Sequence, residues 1–276
     1  MIHTFSLHKI SDEANFGFSP TEYSKFKFGD EYIAKKFGNH LAEGLIHNLP
    51  HLKEFDKPIV VISSPYAFIP TATFALKNQF TFTLNRWLVE NKMKVIQEAK
   101  VQRTVTYKED YGELNAQQRF DLIKNDTFHI DKDFLKGKIL FFLDDIRITG
   151  SHEMMIKKML EAFQLSNETY LLYFAELVNK DIHPNIENYL NYYAVKSIFD
   201  LNTIIKSNHF AINTRIVKYI LNSEPVLFNL FIQEQTENFI SLLYDMAIGN
   251  EYHTIEAYQQ NLHYLKTLLQ EYHKIS

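Results

Sequence analysis

KILFFLDDIRITGSHE, residues 138–153, is the stretch that decides the fold of this 276-residue chain. Its first six residues are almost all apolar, which predicts a strand buried on both faces of a sheet. Two acids follow, then a Thr-Gly-Ser turn, and then apolar residues at helical spacing from Met154 to Phe163. A buried strand, a turn and a helix in this order are typical of a parallel α/β sheet.

The same alternation of strand and helix extends through the middle of the chain. An amphipathic helix begins after Asp30, a predicted N-cap, and ends near Pro50. We therefore predict an α/β fold with a doubly wound, mostly parallel sheet. The remaining predicted elements are strands at 58–62, 100–107 and 170–178 and a helix at 72–90.

From about residue 201 the pattern becomes helical throughout. Apolar stripes recur at helical spacing, for example from Phe239 to Met246 and from Tyr258 to Tyr272. Such stripes are core or dimer contacts far more often than cofactor sites. We predict an α/β domain at 1–204 and an all-helical C-terminal extension at 205–276.

Composition excludes several classes of function. The formal net charge is -4, and no run of Lys and Arg is long enough to bind a phosphodiester backbone, so nucleic acid is not an expected partner. The absence of Cys excludes disulfides, thiolate catalysis and Cys-ligated zinc. Neither a signal peptide nor a run of eighteen apolar residues is found, so we predict a cytoplasmic protein that does not span a membrane.

The deciding stretch also carries the chemistry. Thr149, Gly150 and Ser151 fall where the amides of a turn meet a helix N-terminus, and the partial positive charge there favours a phosphate group. Asp144 and Asp145 are acceptors one short loop away, about the distance from a sugar 5-phosphate to its hydroxyls. The two acids can also hold Mg²⁺ through water. This pattern indicates a site for a phosphorylated sugar.

Residues 139–153 resemble the motif with which type I phosphoribosyltransferases bind 5-phosphoribosyl-1-pyrophosphate (PRPP). The resemblance implies that Asp144 and Asp145 hold the ribose hydroxyls, and Mg²⁺ through water. It also implies a loop that binds the 5-phosphate, formed by Ile148, Thr149, Gly150, Ser151 and His152.

Two further features of that family have candidates in this sequence. The loop that embraces pyrophosphate corresponds to Ser63, Ser64, Pro65 and Tyr66. The mobile loop that closes over PRPP lies within 103–119, where Arg103, Tyr107, Lys108 and Tyr111 are candidates to contact pyrophosphate.

The resemblance implies a Mg²⁺-dependent phosphoribosyltransferase in the glycosyltransferase class. A nitrogen acceptor attacks C1 of PRPP and pyrophosphate leaves, its charge neutralised by Mg²⁺, Arg103 and Lys108. Closure of the loop at 103–119 excludes water. The partners are PRPP and a small acceptor that the sequence does not identify, and the extra helices cap the acceptor site or form a homodimer.

The sequence also departs from the family pattern. Ile148 stands where many members carry a hydroxyl or a carboxylate, and isoleucine offers neither a proton nor a hydrogen bond. His152, found where Thr or Ala is usual, is either a phosphate contact or a helix cap. Arg147 is either a pyrophosphate or base contact or a solvated surface cation.

These departures keep two rivals open, a non-catalytic PRPP or nucleotide sensor and an interaction protein whose helical part is the functional end.

Residues 23–30, YSKFKFGD, resemble phosphoribosyltransferase-like proteins of bacterial stress operons, including those near tellurite-resistance genes.

Overall fold

The structure is a computed structural model that describes residues 1–103 and 128–275. Its central element is a five-stranded sheet in the order β1-β7-β6-β2-β3, in which every neighbouring pair is parallel. The strands are β1 (Ile2–Ile10), β2 (Ile59–Ser63), β3 (Gln97–Glu98), β6 (Ile139–Arg147) and β7 (Thr169–Leu177). The predicted parallel α/β sheet is confirmed.

The three central strands are apolar because both of their faces are covered. Every residue of β2 is buried, as are eight of the nine residues of β7. Strand β1 was missed by the sequence analysis. It is an edge strand with an interrupted pattern of burial, and its pairing with β7 is a long-range contact that local periodicity does not reveal.

Of the predicted strand at 100–107, residues 104–107 lie outside the described residues, and the part before them is not a strand of the main sheet. The edge strand of the main sheet is β3, and the chain leaves the sheet after Ala99, whose amide donates to the carbonyl of Val61 at 3.3 Å. Strand β4 (Gln102–Arg103) then pairs antiparallel with β5 (Phe128–His129) in a separate ribbon.

Helices cover both faces of the sheet. On one face lie α1 (Pro20–Lys27), α2 (Glu31–Asn48) and α3 (Ala72–Glu90), which share one apolar core with the sheet. The predicted N-cap of α2 is confirmed, since the Asp30 side chain accepts from the amide of Ile33. On the other face lie α4 (Lys132–Leu135) and α5 (Ser151–Ala162), which pack on a second, smaller core.

After β7 and α6 (Ile186–Asn191) the chain is helical, as predicted. The helices are α7 (Asn202–Ile205), α8 (Thr214–Leu221), α9 (Pro225–Gln233), α10 (Glu237–Gly249) and α11 (Glu256–Ile275), with short 3-10 turns at Ile198–Leu201 and Tyr252–Thr254. They enclose a third core, which begins at Val195 and also contains Phe28 and Ile69 from the α/β part. Both predicted apolar stripes contribute to this core.

None of the helices in the described ranges combines the length and the apolar character that crossing a membrane requires.

One element differs from its prediction in a way that matters for the site. Strand β6 does not end at Leu143 but continues to Arg147, because β7 remains its hydrogen-bonding neighbour along that length. Asp144 and Asp145 therefore lie inside the strand and not in the loop after it. Their side chains consequently point to opposite faces of the sheet.

Candidate functional site

The strand order creates a crevice between β2 and β6. From β2 the chain crosses through α3 to one edge of the sheet, and from β6 it crosses through α5 towards the other edge. Ligands of open α/β sheets bind at such a switch point, outside the carboxyl ends of the strands. Strand β2 ends at Ser63, opposite Leu143, so the two acids lie beside the loop that follows β2.

Asp144 faces α5 and is held from two sides. The hydroxyl of Ser64 donates to its Oδ1 at 2.7 Å, and Nδ1 of His152 lies 2.5 Å from its Oδ2. Burial alone would raise the pKa of Asp144, but the positive charge of His152 and the hydrogen bonds from His152 and Ser64 hold it well below its ordinary value. Asp144 is therefore an ionised carboxylate at the mouth of the crevice.

Asp145 faces the helices on the opposite side of the sheet. The Tyr23 hydroxyl donates to its Oδ2 at 2.5 Å, the Lys27 ammonium binds the same oxygen, and the Thr73 hydroxyl donates to Oδ1 at 3.1 Å. Asp145 is only 4% exposed. The Thr73 hydroxyl also lies 3.4 Å from Oδ1 of Asp144, so the two adjacent acids share Thr73 and otherwise contact different groups of their own chain.

Sequence reasoning missed Tyr23, Lys27 and Thr73 as partners of the acidic pair. A signal for two of them was present in residues 23–30, where Tyr23 and Lys27 are four apart and so lie on the same side of a helix. Nothing in the local sequence indicated that this helix packs over the end of β6.

The turn after β6 has the geometry of an anion site. Gly150 has φ of +75°, a left-handed conformation that other residues adopt only with strain, and this turn starts helix α5. The N-cap residue is Gly150 itself, so no side-chain cap bond forms there, and the positive end of the helix lies at this turn. The hydroxyls of Thr149 and Ser151 lie 2.7 Å apart beside it.

Arg147 lies at the start of this turn and links it to two neighbouring elements. Its guanidinium donates to Glu153 on α5 at 2.8 Å and to Glu176 on β7 at 2.5 Å. The guanidinium therefore binds two carboxylates of its own chain, and its two predicted roles, a pyrophosphate or base contact and a solvated surface cation, stay predictions. Ile148 packs against the core of the sheet, which explains an apolar residue at that position.

The loop after β2 places Ser64 against Asp144 and is contacted by Lys100, a cation just after β3 that sequence reasoning did not single out. Nζ of Lys100 lies 4.1 Å from the ring centroid of Tyr66 and donates to the carbonyl of Ala67 at 2.8 Å. Burial lowers the pKa of Lys100 from its ordinary value. This part of the crevice therefore combines a serine hydroxyl with a nearby ammonium group.

Of the four candidates in the predicted mobile loop, Arg103 lies within the described residues. Arg103 ends β4, whereas Tyr107, Lys108 and Tyr111 lie outside the described residues. Their roles stay predictions.

A pocket with apolar walls lies below Asp144 and His152, on the α5 side of the sheet. Its lining includes Phe142, Met155 and Tyr173. Burial raises the pKa of Tyr173 well above its ordinary value, so its hydroxyl stays neutral. Because the Asp144 side chain is only 13% exposed, its attraction to His152 is less screened than it would be at the surface.

No group of three metal-ligating side chains is found within 1–103 and 128–275. Both acids already have a basic side chain of the chain as a partner, His152 for Asp144 and Lys27 for Asp145. Carboxylate oxygens are ligands that Mg²⁺ prefers, and Asp144, the more exposed of the two acids, is the residue that would hold such an ion.

Comparisons with solved structures return phosphoribosyltransferases. A hypoxanthine phosphoribosyltransferase from Staphylococcus aureus is 8% identical, with a TM-score of 0.33 over 54% of this chain and 76% of that one. A Trypanosoma cruzi hypoxanthine phosphoribosyl transferase is 13% identical, with a TM-score of 0.33 over 55% and 77%. A purine phosphoribosyltransferase from Pyrococcus horikoshii is 12% identical, with a TM-score of 0.28 over 54% and 80%.

At these identities and TM-scores, the likeness adds nothing to the topology described above. No curated protein matches the chain. The sequence model of one family does match, that of "PRTase ComF-like", and it covers residues 1–265, nearly the whole chain. Because that match extends over nearly the whole sequence, the chain belongs to the ComF-like family of phosphoribosyltransferases (PRTases).

Proposed function

We propose that the protein binds PRPP together with Mg²⁺ and transfers the phosphoribosyl group to a nitrogen acceptor, releasing pyrophosphate. The observation that carries this proposal is the position of an ionised carboxylate, Asp144, beside a helix N-terminus that no side chain caps. A phosphorylated sugar needs both features within one crevice. Membership of the family supports the same reaction class.

In this proposal the 5-phosphate lies on the turn formed by Ile148, Thr149, Gly150, Ser151 and His152. The amides of its first helical turn and the two hydroxyls donate to the phosphate oxygens. His152 is close enough to reach either the phosphate or Asp144, and it contacts Asp144 in the structure.

Asp144 and Asp145 accept hydrogen bonds from the ribose hydroxyls. Asp144 is the more accessible of the two, since 13% of its side chain is exposed against 6% for Asp145. Oδ1 of Asp145 accepts a hydrogen bond from the hydroxyl of Thr73 at 3.1 Å and can accept a second one from the ribose. We therefore expect Asp144 to contribute more of the binding free energy.

The pyrophosphate group lies against Ser63, Ser64, Pro65 and Tyr66, with Lys100, Arg103 and Lys108 supplying positive charge. Mg²⁺ neutralises the leaving group when it is bound. The C1–O bond breaks and pyrophosphate takes the electron pair, while the acceptor nitrogen forms the bond to C1 and loses a proton to water. The acceptor is a small nitrogen compound; the cytoplasmic location and the homodimer stay predictions from the sequence.

The test is Asp144→Asn, which removes the charge and keeps the shape. We expect calorimetry with PRPP and Mg²⁺ to show binding by the wild type and a loss of about tenfold or more in the variant, as expected when a hydrogen bond to a charged group is lost. Asp133→Asn, the same change at an exposed position on α4, is the control and should bind like the wild type.

Pyrophosphate release with a panel of nitrogen bases then tests the transfer itself. If PRPP binds but no base leads to release of pyrophosphate, the protein is a PRPP sensor and not a transferase. If Asp144→Asn and the wild type bind PRPP with equal affinity, the acidic pair is not part of the PRPP site.

A further inference from the structure

The C-terminal helices hold the backbone of the loop that follows β2. Oδ1 of Asn250, the residue directly after α10, accepts hydrogen bonds from the amides of Phe68 and Ile69, both at 3.0 Å. Asn250 is only 6% exposed. A buried side chain that satisfies two consecutive loop amides fixes the course of that loop.

Two more contacts bind the same loop to the helical part. The hydroxyl of Thr214, at the start of α8, lies 2.9 Å from the carbonyl of Ile69 and 3.1 Å from that of Pro70. The Ile69 side chain is fully buried in the helical core. Gly249 allows the ring of Phe68 to lie against α10, since a Cβ at that position would be 2.4 Å from the ring.

A second set of contacts joins the helical part to the end of α1. Nδ2 of Asn213 donates to the carbonyl of Lys27 at 3.1 Å, and the amide of Ala211 donates to the carbonyl of Gly29 at 2.9 Å. Gly29 is needed here, because it has φ of +94° and a Cβ would lie 2.3 Å from the carbonyl oxygen of Ala211. The ammonium of Lys27, held in this way, binds Asp145.

Both sets of contacts lead to the acidic pair. The loop held by Asn250 carries Ser64, which donates to Asp144, and it leads into α3, whose Thr73 donates to Asp145. The segment held by Asn213 carries Lys27.

We propose that the helical part of the chain is a positioning element for the PRPP site and that Asn250 is its positioning residue for the loop at 63–71. Its effect on ligand affinity rests on the proposed function. Its effect on the loop does not.

The test compares Asn250→Ala with Asn261→Ala and Asn250→Asp. Asn261 is a matched control, because it is 4% exposed and its Nδ2 donates to the carbonyls of Leu221 and Ser223, inside the helical part and away from the loop. In Asn250→Asp, the carboxylate still accepts from both loop amides.

We expect Asn250→Ala to weaken PRPP binding in the presence of Mg²⁺ by about tenfold, the effect of losing two neutral hydrogen bonds. Asn250→Asp should restore most of the affinity. Asn261→Ala should lower the Tm about as much as Asn250→Ala does, without changing the affinity for PRPP. In hydrogen–deuterium exchange, Asn250→Ala should speed exchange at 63–67, ahead of the two amides that Asn250 binds, whereas Asn261→Ala should not.

Unchanged exchange at 63–67 in Asn250→Ala would overturn the inference, as would equal loss of affinity in both alanine variants. If the wild type binds no PRPP, the proposed function fails, and the exchange measurement still decides whether the helices position this loop.

Discussion

At the residue scale, the two adjacent acids have different surroundings. Asp144 faces the crevice and pairs with His152, which is partly exposed, whereas Asp145 faces the core and pairs with Lys27, whose side chain is 10% exposed. A buried ion pair contributes little net stability, but removing one member leaves the other charged and desolvated. The structural cost of a substitution should therefore be much greater at Asp145 than at Asp144.

Asp145→Asn should lower the free energy of unfolding by about 3–5 kcal/mol, because Lys27 would then be buried without a counter-charge. The double variant Lys27→Met, Asp145→Asn should regain most of this loss. Urea unfolding of both single variants and the double variant measures the coupling. If the two single effects simply add, the ion pair is not coupled and this assignment of partners is wrong.

At the element scale, Arg147 joins β6 to α5 through Glu153 and to β7 through Glu176. Burial would raise the pKa of Glu153, but hydrogen bonds from Lys157 and Arg147 lower it overall. Burial would likewise raise the pKa of Glu176, and Lys9, Ser6 and Arg147 lower it. The stability from these carboxylates is therefore present above the ordinary glutamate pKa of about 4.3 and is lost as the pH falls below it.

Arg147→Met should lower the free energy of unfolding at pH 7 by about 1–3 kcal/mol, because hydrogen bonds between charged groups are lost. The difference in the free energy of unfolding between variant and wild type should narrow as the pH falls from 5 to 3. Urea unfolding at each pH measures this difference. Lys157→Met is the control, since Lys157 also binds Glu153 but is 45% exposed, and its loss should cost less than about 1 kcal/mol. A difference that is independent of pH would contradict the linking role of Arg147.

At the scale of the whole molecule, the helical core is not separate from the α/β part. Phe28 and Ile69, both fully buried, extend from the α/β part into it, and the helical core itself begins at Val195. The boundary between 204 and 205 stays a prediction. The shared residues lead us to expect that the two parts unfold together.

Ile69→Ala should lower the free energy of unfolding by about 2–5 kcal/mol, as for other buried large-to-small changes. The one tryptophan, Trp87, lies in α3 and reports on the α/β part, while far-UV circular dichroism reports on all the helices. Both signals should shift to the same lower midpoint. Two separate transitions would show that the helical part is an independent unit.

Most of the fold could be predicted from local sequence. The bounds of α3 at Ala72–Glu90, the N-cap of α2 at Asp30 and the buried strands β2 and β7 follow from periodicity and capping. Edge strands could not be predicted in this way, because β1 and β3 are defined by their neighbours in the sheet. The extension of β6 beyond Leu143 has the same cause, since only pairing with β7 makes Asp144 and Asp145 part of a strand.

By itself the sequence determined the parallel α/β class, the turn at Gly150 and the presence of two acids beside it, since each depends on residues close together in the chain. Only the tertiary structure decided which cations and hydroxyls meet those acids. The partners of Asp145 lie 122, 118 and 72 positions away, at Tyr23, Lys27 and Thr73. Such contacts are set by how helices pack over the sheet, and a buried carboxylate must find its partners there, because no water is available to replace them.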